Sequence, residues 1–497
     1  MRDPTVPRVR APDFPTDLAW VNVAGAPPTL AALRGRVVLL DVWTAGCINC
    51  RHLVPTLHAI ERRYGDAIAI LGIHSGKYPA ERDPAFIAHA CARLGITHPV
   101  LDDRRFRTWR AFAVRAWPTL VVIDHLGFVV AMHAGECTIE EIAPYLDLLV
   151  HASGHPITPH VPGASPTASA AAALRFPGAV ALHPRDPARI AIADAGHARI
   201  LVGTFAADAA SCVITAVHGD GVSGYRDGDA PRWGDPQGLA WRDDDTLLVA
   251  DTGAHALRAL DTRTGRARTL AGTGVRVRTD ADRAAGAMAS PWGLAVAGDT
   301  CWIAMAGTHQ LWRHDGASGR THVAAGTGGE ALVDGPALAA LLAQPTALAV
   351  EGDGPRCWIA CAEGNAIREF DRDAGTVRTL VGTGLFDFGH IDGVGDEVRL
   401  QHPQGVAWDA ARGRLLIADS YNGALRALDP GTRRVTTLAR ELGTPVGVAV
   451  CPGGAAVVVD ERGHRLLVVD AASGAVRTVT VEFAGGGATA AGMGRRA

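Results

Sequence analysis

The chain has 497 residues, of which 48% are hydrophobic and 20% are charged, and a chain of this length and composition can form several packed cores. The 48 Lys and Arg residues nearly balance the 51 Asp and Glu residues, for a formal net charge of -3. With so little net charge, no general electrostatic field draws the protein to phosphate or to a membrane surface. The composition therefore predicts a globular protein of two or three domains and excludes a dedicated nucleic-acid binder.

The nine cysteines are scattered through the chain, whereas secreted domains stapled by disulfides are short and rich in cysteine. This distribution indicates a reducing compartment. The first residues lack the apolar core of a signal peptide, and no stretch reaches the roughly 18 apolar residues of a membrane-spanning helix. We therefore expect a cytoplasmic protein without a membrane partner.

Apolar runs alternate with helical periodicity up to about residue 150. Strands are predicted over residues 37–40, 67–73, 120–123 and 128–133, and helices over residues 50–64 and 84–94. Strands that alternate with helices predict an α/β domain over residues 1–150. Residues 151–173 are rich in Pro, Ser, Gly and Ala and carry few charges, which is typical of a linker.

A repeated pattern of short β-rich runs begins at about residue 174. Each repeat opens with a proline that is soon followed by an apolar pair, and the opening prolines are Pro177, Pro236, Pro291, Pro345, Pro403 and Pro445. Each opening leads into an apolar strand with a tight turn, as in residues 247–258, and then into two more strands. Repeats of four short strands, about 40 to 60 residues long, are typical of β-propeller blades. We predict an all-β six-bladed propeller over residues 174–482 and a Gly/Ala-rich tail over residues 483–497.

The clearest chemical motif is Cys47-Ile48-Asn49-Cys50, which follows a predicted buried strand and enters a predicted helix. A thiol at the start of a helix meets unpaired N–H groups and the positive end of the helix dipole, which lower its pKa. Two thiols with this spacing can meet across one helical turn, so Cys50 can resolve a mixed disulfide formed on Cys47. The motif therefore predicts a redox-active dithiol with Cys47 as the nucleophile.

Zinc binding is the alternative for such a cysteine pair. No second pair of cysteines or histidines follows at zinc-finger spacing, so we expect no metal. The glycines between Gly219 and Gly224 match a dinucleotide-binding pattern, but residues 225–231 contain Gly and Pro and cannot open the required helix. We therefore expect no cofactor.

The residues before the dithiol resemble those of thioredoxin-fold oxidoreductases, and the resemblance extends over roughly residues 14–150. Asp41 stands six residues before Cys47, where the family has a buried carboxylate that passes protons at the resolving cysteine. Trp43 matches the tryptophan that follows this carboxylate. Gly46 stands where thioredoxins carry a tryptophan, so part of the usual aromatic platform for substrate is missing.

The segment Trp117-Pro118-Thr119 resembles the cis-proline turn whose backbone receives the substrate peptide in the same family. The inserted helix and strand that precede it are similar to those of the redoxin and TlpA-like branch. The resemblance implies a set of catalytic residues and a set of substrate-binding residues. The catalytic set is Asp41, Cys47, Cys50 and Pro118, and the substrate-binding set is Trp43, Trp117 and Thr119. His52 and His74 lie nearby, and we expect them to be solvated or hydrogen-bonded surface residues.

The six repeats resemble NHL repeats, which pair a Pro-x-Gly opening with a turn that contains Asp and then Asn or His. The pattern departs at Met305 and Cys361, which replace the turn aspartate, and at Ala347, which replaces the glycine. We expect these departures to affect turn geometry. We also expect the aspartates that are present to accept hydrogen bonds from N–H groups of their own turns; they are Asp194, Asp251, Asp419 and Asp460.

A redoxin domain followed by six NHL repeats resembles the NHL repeat-containing protein 2 family over nearly the whole chain. The active-site segment of that family has the form Trp-Thr-x-Cys-Cys-Ile-Asn-Cys, and this chain keeps it except at Gly46. The resemblance implies the two-domain architecture and leaves the substrate open.

Three functions therefore remain open. The first is a thiol–disulfide oxidoreductase that acts on a disulfide-bearing protein or is served by a reductant partner, with the propeller binding the partner or substrate. The second is a scaffold without catalysis, because propellers mostly bind other proteins. The third is a thiol peroxidase. Thr44 stands three residues before Cys47 as in peroxiredoxins, but Leu40 occupies the position of their proline.

Overall fold

The computed structural model describes residues 9–158, 172–206 and 209–485. The chain divides into two units, Met1–Ala168 and Ser169–Ala497. Most of the predicted linker and the tail from residue 486 lie outside the described residues. The last helix of the first unit reaches Ser153, three residues into the predicted linker.

A seven-stranded sheet forms the centre of the first unit. Its strands are Val9–Arg10 (β1), Trp20–Val21 (β2), Val37–Trp43 (β3), Ile68–His74 (β4), Val100–Asp102 (β5), Thr119–Ile123 (β6) and Phe128–Ala134 (β7). The helices are Ile48–Tyr64 (α1), Pro84–Leu94 (α2), Arg107–Ala111 (α3) and Ile139–Ser153 (α4), with a short 3-10 turn at Pro79–Arg82. The strand order is β1-β7-β6-β3-β4-β5-β2. The four predicted strands and both predicted helices are present, and β1, β2, α3 and α4 had not been predicted.

Strands β3 and β4 run parallel at the middle of the sheet, and every residue of both is buried. Such continuous apolar runs are typical of strands that are covered on both faces. Val37 and Leu39 pack with α1 and α4, whereas Val38 and Leu40 pack in a separate cluster. Because side chains alternate along a strand, Asp41 lies on the same face of β3 as Val37 and Leu39, the face covered by α1.

The second unit consists of six blades, each built on four antiparallel strands. Blades 1 to 3 are formed by Pro177–Leu182, Arg189–Asp194, Arg199–Phe205 and Ser211–His218; by Pro236–Trp241, Thr246–Asp251, Ala256–Asp261 and Ala267–Ala271; and by Pro291–Ala297, Thr300–Met305, Gln310–Asp315 and Thr321–Ala325. Blades 4 to 6 are formed by Pro345–Val350, Arg356–Cys361, Ala366–Asp371 and Thr376–Val381; by Gly405–Asp409, Arg414–Asp419, Ala424–Asp429 and Arg434–Ala439; and by Pro445–Val450, Ala456–Asp460, Arg465–Val469 and Val476–Phe483. Blades 4 and 5 each gain a short edge strand, Gly335–Pro336 and Gly393–Val394. A short helix, Asp280–Ala284, lies between blades 2 and 3.

The six blades close into a ring, as the repeat count predicts. The innermost strands of all six line one central channel. The outermost strands of blades 1 and 6 pair in parallel, with Ser211 opposite Thr480 and Ile214 opposite Phe483. The glycine of the Pro-x-Gly opening allows the innermost strands of neighbouring blades to lie close together. A Cβ atom on Gly238 would lie 1.8 Å from the carbonyl oxygen of Trp292 in the next blade. No side chain fits at Gly238 unless the neighbouring blade shifts.

The turn aspartates support the blades in a way that differs from the prediction. Each accepts an N–H from the segment that precedes the opening proline of its own blade: from Arg175 at Asp194, Gly234 and Asp235 at Asp251, Gln401 at Asp419 and Thr444 at Asp460. Of the described hydrogen bonds, only that from Gly463 to Asp460 joins one of these carboxylates to a backbone N–H of its own turn. The carboxylates therefore join the second strand of a blade to the entry of the first.

The His or Asn of the repeat joins one blade to the next. Four such side chains accept the N–H of the residue just before the following opening proline: His255 from Ser290, His309 from Gln344, Asn365 from His402 and His464 from Phe176. The last of these bonds joins blade 6 to blade 1.

Within the described residues, no helix is both long enough and apolar enough to cross a membrane.

Candidate dithiol site

The dithiol lies where β3 passes into α1. Cys47 is the residue that caps the start of α1, and its backbone is extended. Its side chain is partly exposed, whereas Cys50 is 4% exposed. Both are free thiols, and Cys50 is hydrogen-bonded to Cys47. Burial raises the pKa of Cys50 well above its usual value, and the contact with Cys47 acts in the same direction.

Asp41 lies buried beneath the dithiol and is 3% exposed. Burial raises the pKa of Asp41 to about 7, and the nearby imidazole of His98 opposes this rise. The charge of Asp41 in turn raises the pKa of Cys50. Its Oδ1 atom is enclosed and has no hydrogen-bond partner among the described residues. A carboxyl group whose pKa lies near neutrality beside a buried thiol can accept and return a proton.

The proline turn is built as the sequence suggests. The peptide bond between Trp117 and Pro118 is cis. The carbonyl oxygen of Pro118 accepts the N–H of Gly135 at 2.8 Å. The indole N–H of Trp117 donates to the carbonyl oxygen of Ser75 at 3.0 Å, and this ring packs with Cys47 in one apolar cluster. The turn therefore borders the dithiol.

Two of the predicted substrate-binding side chains lie inside the domain. Thr119 is 2% exposed and donates its hydroxyl to the carbonyl oxygen of Ala116 at 2.7 Å, so its side chain shapes the turn. Trp43 is also 2% exposed and packs edge-on against His74, with ring centroids 4.6 Å apart. Among the three predicted substrate-binding residues, Trp117 alone retains an appreciable exposed surface.

The two nearby histidines differ from the expectation. His74 is fully buried, and burial lowers its pKa to about 3. The prediction that it is a surface residue is therefore wrong, because the last residue of β4 still lies inside the sheet. The Nδ1 atom of His52 lies 2.7 Å from Oε1 of Glu136, and its side chain is 5% exposed. This pair joins α1 to the segment after β7.

A buried glutamate that the sequence analysis missed holds the loop before Cys47. Glu81 is fully buried and accepts the hydroxyl of Thr44 at 2.6 Å, the N–H of Gly46 at 2.8 Å and the N–H of Tyr78 at 3.0 Å. The Thr44 oxygen also accepts the N–H of Lys77 at 3.1 Å. The carboxylate therefore ties the loop that presents the dithiol to the inserted segment after β4. Residues 78–81 begin with tyrosine, which is not a capping residue, so no local pattern in the sequence pointed to this glutamate.

We expect the substitution Glu81→Gln to loosen this loop. The amide cannot accept at both of its terminal atoms, so one donor, such as the N–H of Gly46, would face another donor. The free energy of unfolding of the first unit should fall by about 1–3 kcal/mol, measured by urea denaturation of the full chain. The exposed Glu140→Gln on α4 is the matched control. Equal denaturation midpoints for the two variants would contradict the role assigned to Glu81.

The structure also bears on metal binding. In the part of the chain that the structure describes, no group of three or more His, Cys, Asp or Glu side chains is arranged to hold a metal ion.

The fold and the site together define a class of protein, a thioredoxin-like domain with a Cys-x-x-Cys dithiol joined to a six-bladed propeller. A family model for thioredoxin-like domains matches residues 35–129. The chain is 33% identical over 496 residues to the chloroplastic protein SUPPRESSOR OF QUENCHING 1 of Arabidopsis thaliana, in an alignment that covers 92% of this chain and 46% of that protein. The chain thus spans about half the length of this relative.

Similarity to a second relative covers both units. The chain is 33% identical over 527 residues to NHL repeat-containing protein 2 of Bos taurus, in an alignment that covers 95% of this chain and 70% of that protein. The chain therefore belongs to the NHL repeat-containing protein 2 family. The first unit also has a bacterial relative, the thiol-disulfide oxidoreductase ResA of Geobacillus kaustophilus, with 30% identity over 140 residues, 28% of this chain and 74% of that protein.

Proposed function

We propose that the first unit is a thiol–disulfide oxidoreductase and that the propeller binds its protein partner or substrate. The observation that carries the proposal is the contact between a partly exposed Cys47 at the start of α1 and a buried Cys50, with Asp41 beneath them. The relative ResA bears the name of this activity over the same unit.

The first chemical step is attack by the thiolate of Cys47 on a disulfide of the substrate. A mixed disulfide forms on Cys47, and one substrate sulfur leaves as a thiolate. The exposure of Cys47 and the neighbouring turn of Trp117 and Pro118 support this assignment. The carbonyl oxygen of Pro118 is held by Gly135, so the turn offers a fixed edge for an extended substrate segment.

The second step is resolution by Cys50. Its thiol gives its proton to the carboxylate of Asp41, and the resulting thiolate attacks the sulfur of Cys47. The second substrate sulfur leaves, so the substrate disulfide is reduced by two electrons and the protein dithiol becomes a disulfide. Because burial keeps Cys50 protonated, this step requires a base. The charge of Asp41 acts on Cys50 and its pKa is about 7, so we assign this role to Asp41.

The propeller supplies a surface for a protein partner. Exposed apolar side chains stand on the long connections between blades: Val275 is 65% exposed, Leu338 is 66% exposed and Phe386 is 73% exposed. Val275 and Phe386 each follow closely on the end of a fourth strand, so these two side chains stand at the same face of the ring, whereas Leu338 lies by the start of the fourth strand of blade 4. Apolar side chains on one face are typical of a protein-binding surface.

With all nine cysteines as free thiols, we propose a reducing compartment such as the cytoplasm.

The test is turnover of a generic disulfide by the full chain and by two serine variants. Cys47→Ser should abolish turnover, and Cys50→Ser should accumulate a mixed disulfide on Cys47 that mass spectrometry detects. Cys137→Ser, at a buried cysteine of the same unit, is the matched control and should turn over as the unchanged chain does. Absence of turnover in the unchanged chain would indicate a scaffold. Dependence of turnover on peroxide consumption would indicate a peroxidase.

A further inference from the structure

Three aromatic rings form a cluster beside the dithiol. The ring centroid of Trp117 lies 4.5 Å from that of Trp109 and 6.1 Å from that of Phe106. All three rings are partly exposed, and Trp117 packs with Cys47 in one apolar cluster. Because Gly46 stands where thioredoxins carry a tryptophan, these three rings, here called the aromatic cluster, supply an apolar surface that the loop before Cys47 lacks.

The segment that carries the aromatic cluster is strongly basic. Residues 104–115 contain five arginines and no aspartate or glutamate. Two of the five already have acidic partners. Nε of Arg104 donates to the buried Asp102 at 2.7 Å. Nη1 of Arg107 lies 2.5 Å from Oδ1 of Asp17. The other three arginines are exposed and form no ion pair in the part of the chain that the structure describes; they are Arg105, Arg110 and Arg115.

These three arginines border the aromatic cluster, since each stands one or two residues from one of its rings. A fourth arginine reaches the cluster from the 3-10 turn after β4. Arg82 is exposed, and its Cζ atom lies 6.0 Å from the ring centroid of Phe106. The carboxylate of the neighbouring Asp83 is directed to the start of α2, where it accepts the N–H of Ala85 at 3.0 Å. The four arginines are here called the basic rim, and they are Arg82, Arg105, Arg110 and Arg115.

The basic rim differs from a pocket for a single phosphate. The start of α3, where a phosphate could meet backbone N–H groups, is already filled by the buried carboxylate of Asp103. This carboxylate accepts the N–H groups of Arg107, Thr108 and Trp109 at 2.8–3.0 Å. The guanidinium groups of the rim stand at separate exposed positions. They therefore suit an extended chain that carries several carboxylates, each of which a guanidinium can bind through two parallel hydrogen bonds.

We propose that the aromatic cluster and the basic rim bind an acidic segment of the substrate protein, next to the disulfide that Cys47 attacks. An apolar side chain of this segment packs on the rings, and its aspartates and glutamates pair with the rim. Tryptophan and arginine contribute most to the binding energy of protein interfaces, with apolar contacts at the centre and polar ones around them. The inference rests on the proposed oxidoreductase, whose chemistry it leaves unchanged, and it names the class of substrate.

The test compares three short peptides that differ only in the residues around one cysteine, which are glutamates, glutamines or lysines. The cysteine of each peptide carries thionitrobenzoate in a mixed disulfide. Reduced full chain is mixed with each peptide, the thiolate of Cys47 attacks the peptide sulfur, and thionitrobenzoate leaves. Cys47→Ser gives the background. At low ionic strength the acidic peptide should react about tenfold faster than the neutral one, and the basic peptide should react more slowly still. Salt at about 0.5 M should remove most of this difference.

Arg110→Gln/Arg115→Gln should slow the reaction of the acidic peptide about fivefold at low ionic strength. The neutral peptide should keep its rate, which shows that the site is folded and that the dithiol reacts normally. Arg62→Gln/Arg63→Gln is the matched control, because it removes the same charge from two exposed arginines in the last turn of α1. The dithiol lies at the other end of this helix, about 25 Å away. The control should keep the full preference for the acidic peptide.

The outcomes separate this inference from the proposed function. Equal rates for the three peptides, or an undiminished acidic preference in Arg110→Gln/Arg115→Gln, would overturn the acidic substrate. If this variant also slows the neutral peptide, Arg115→Gln replaces it, with a reduced acidic preference as the expected result and an unchanged one as the refuting result. A single-stranded oligonucleotide that inhibits the reaction at lower concentration than a cysteine-free acidic peptide would also overturn it. Absence of release from all three peptides in the unchanged chain would instead refute the dithiol function itself.

Discussion

Asp41→Asn should make the first unit more stable at neutral and alkaline pH. Burial raises the pKa of Asp41 from 3.8 to about 7, so between about pH 4 and about pH 7 the native state holds a proton that the unfolded chain has released. The stability of the native state therefore falls as pH rises through this window. Above it, replacing the carboxylate by a neutral amide should raise the free energy of unfolding by about 4 kcal/mol.

Hydrogen exchange of peptides that cover β3, in the full chain, measures this free energy for the first unit separately from the propeller. The difference between Asp41→Asn and the unchanged chain should grow from about pH 4 to about pH 7 and vanish below. His74 titrates in both proteins and cancels from this difference. The exposed Asp66→Asn is the control and should show no such growth. A difference that does not vary with pH would contradict a raised pKa at Asp41.

The gain in stability has a functional counterpart. The same substitution removes the base that the proposed resolution step requires. A buried carboxyl that lowers stability near neutral pH is expected where the chain uses its ionisation, because an apolar side chain would fit such a position at lower cost. The stability of Asp41→Asn should therefore rise while its rate of resolution by Cys50 falls.

The parts of the site that follow one another in the chain could be predicted from the sequence. Cys47, Cys50 and Asp41 share one strand and one helix start, so spacing alone places them together. Pro118 could be placed by its resemblance to a known turn. Glu81 could not, because it reaches the site from the inserted segment between β4 and β5, and only tertiary packing brings it there. Its contact with Gly46 joins residues 35 positions apart.

The propeller shows the same division between repeated and long-range features. Six repeats with one pattern predict six blades, because each repeat must bury its faces against its neighbours. The parallel pairing of Ser211–His218 with Val476–Phe483 could not be predicted, since it joins the first blade to the last. The turn aspartates were assigned the wrong partners for a related reason. A short carboxylate satisfies its own turn in isolation, but here Asp251 lies against the segment that enters the blade.

Arg258→Met should strongly destabilise the propeller. This fully buried guanidinium donates to Asp251 at 2.9 Å and to Asp227 at 2.8 Å, and it stands 4.3 Å from the ring centre of Trp233. Burial already raises the pKa of Asp251 to about 6 despite the arginine. Removing the arginine alone leaves a buried carboxyl without its cation, which costs about 3–5 kcal/mol. Urea denaturation of the full chain measures this loss, and Arg263→Met at an exposed position of the same blade is the control.

The double variant Asp251→Leu/Arg258→Met should lose less stability than Arg258→Met alone. Blade 3 supplies the reason, because Met305 and Trp312 occupy the equivalent positions and both are apolar and buried. The chain thus tolerates an apolar pair or an ion pair at this place in a blade. An isolated buried charge is the costly arrangement, and an apolar pair of similar volume often replaces a buried ion pair at little cost. A double variant less stable than Arg258→Met would show that the ion pair contributes more than the mutual neutralisation of its two charges.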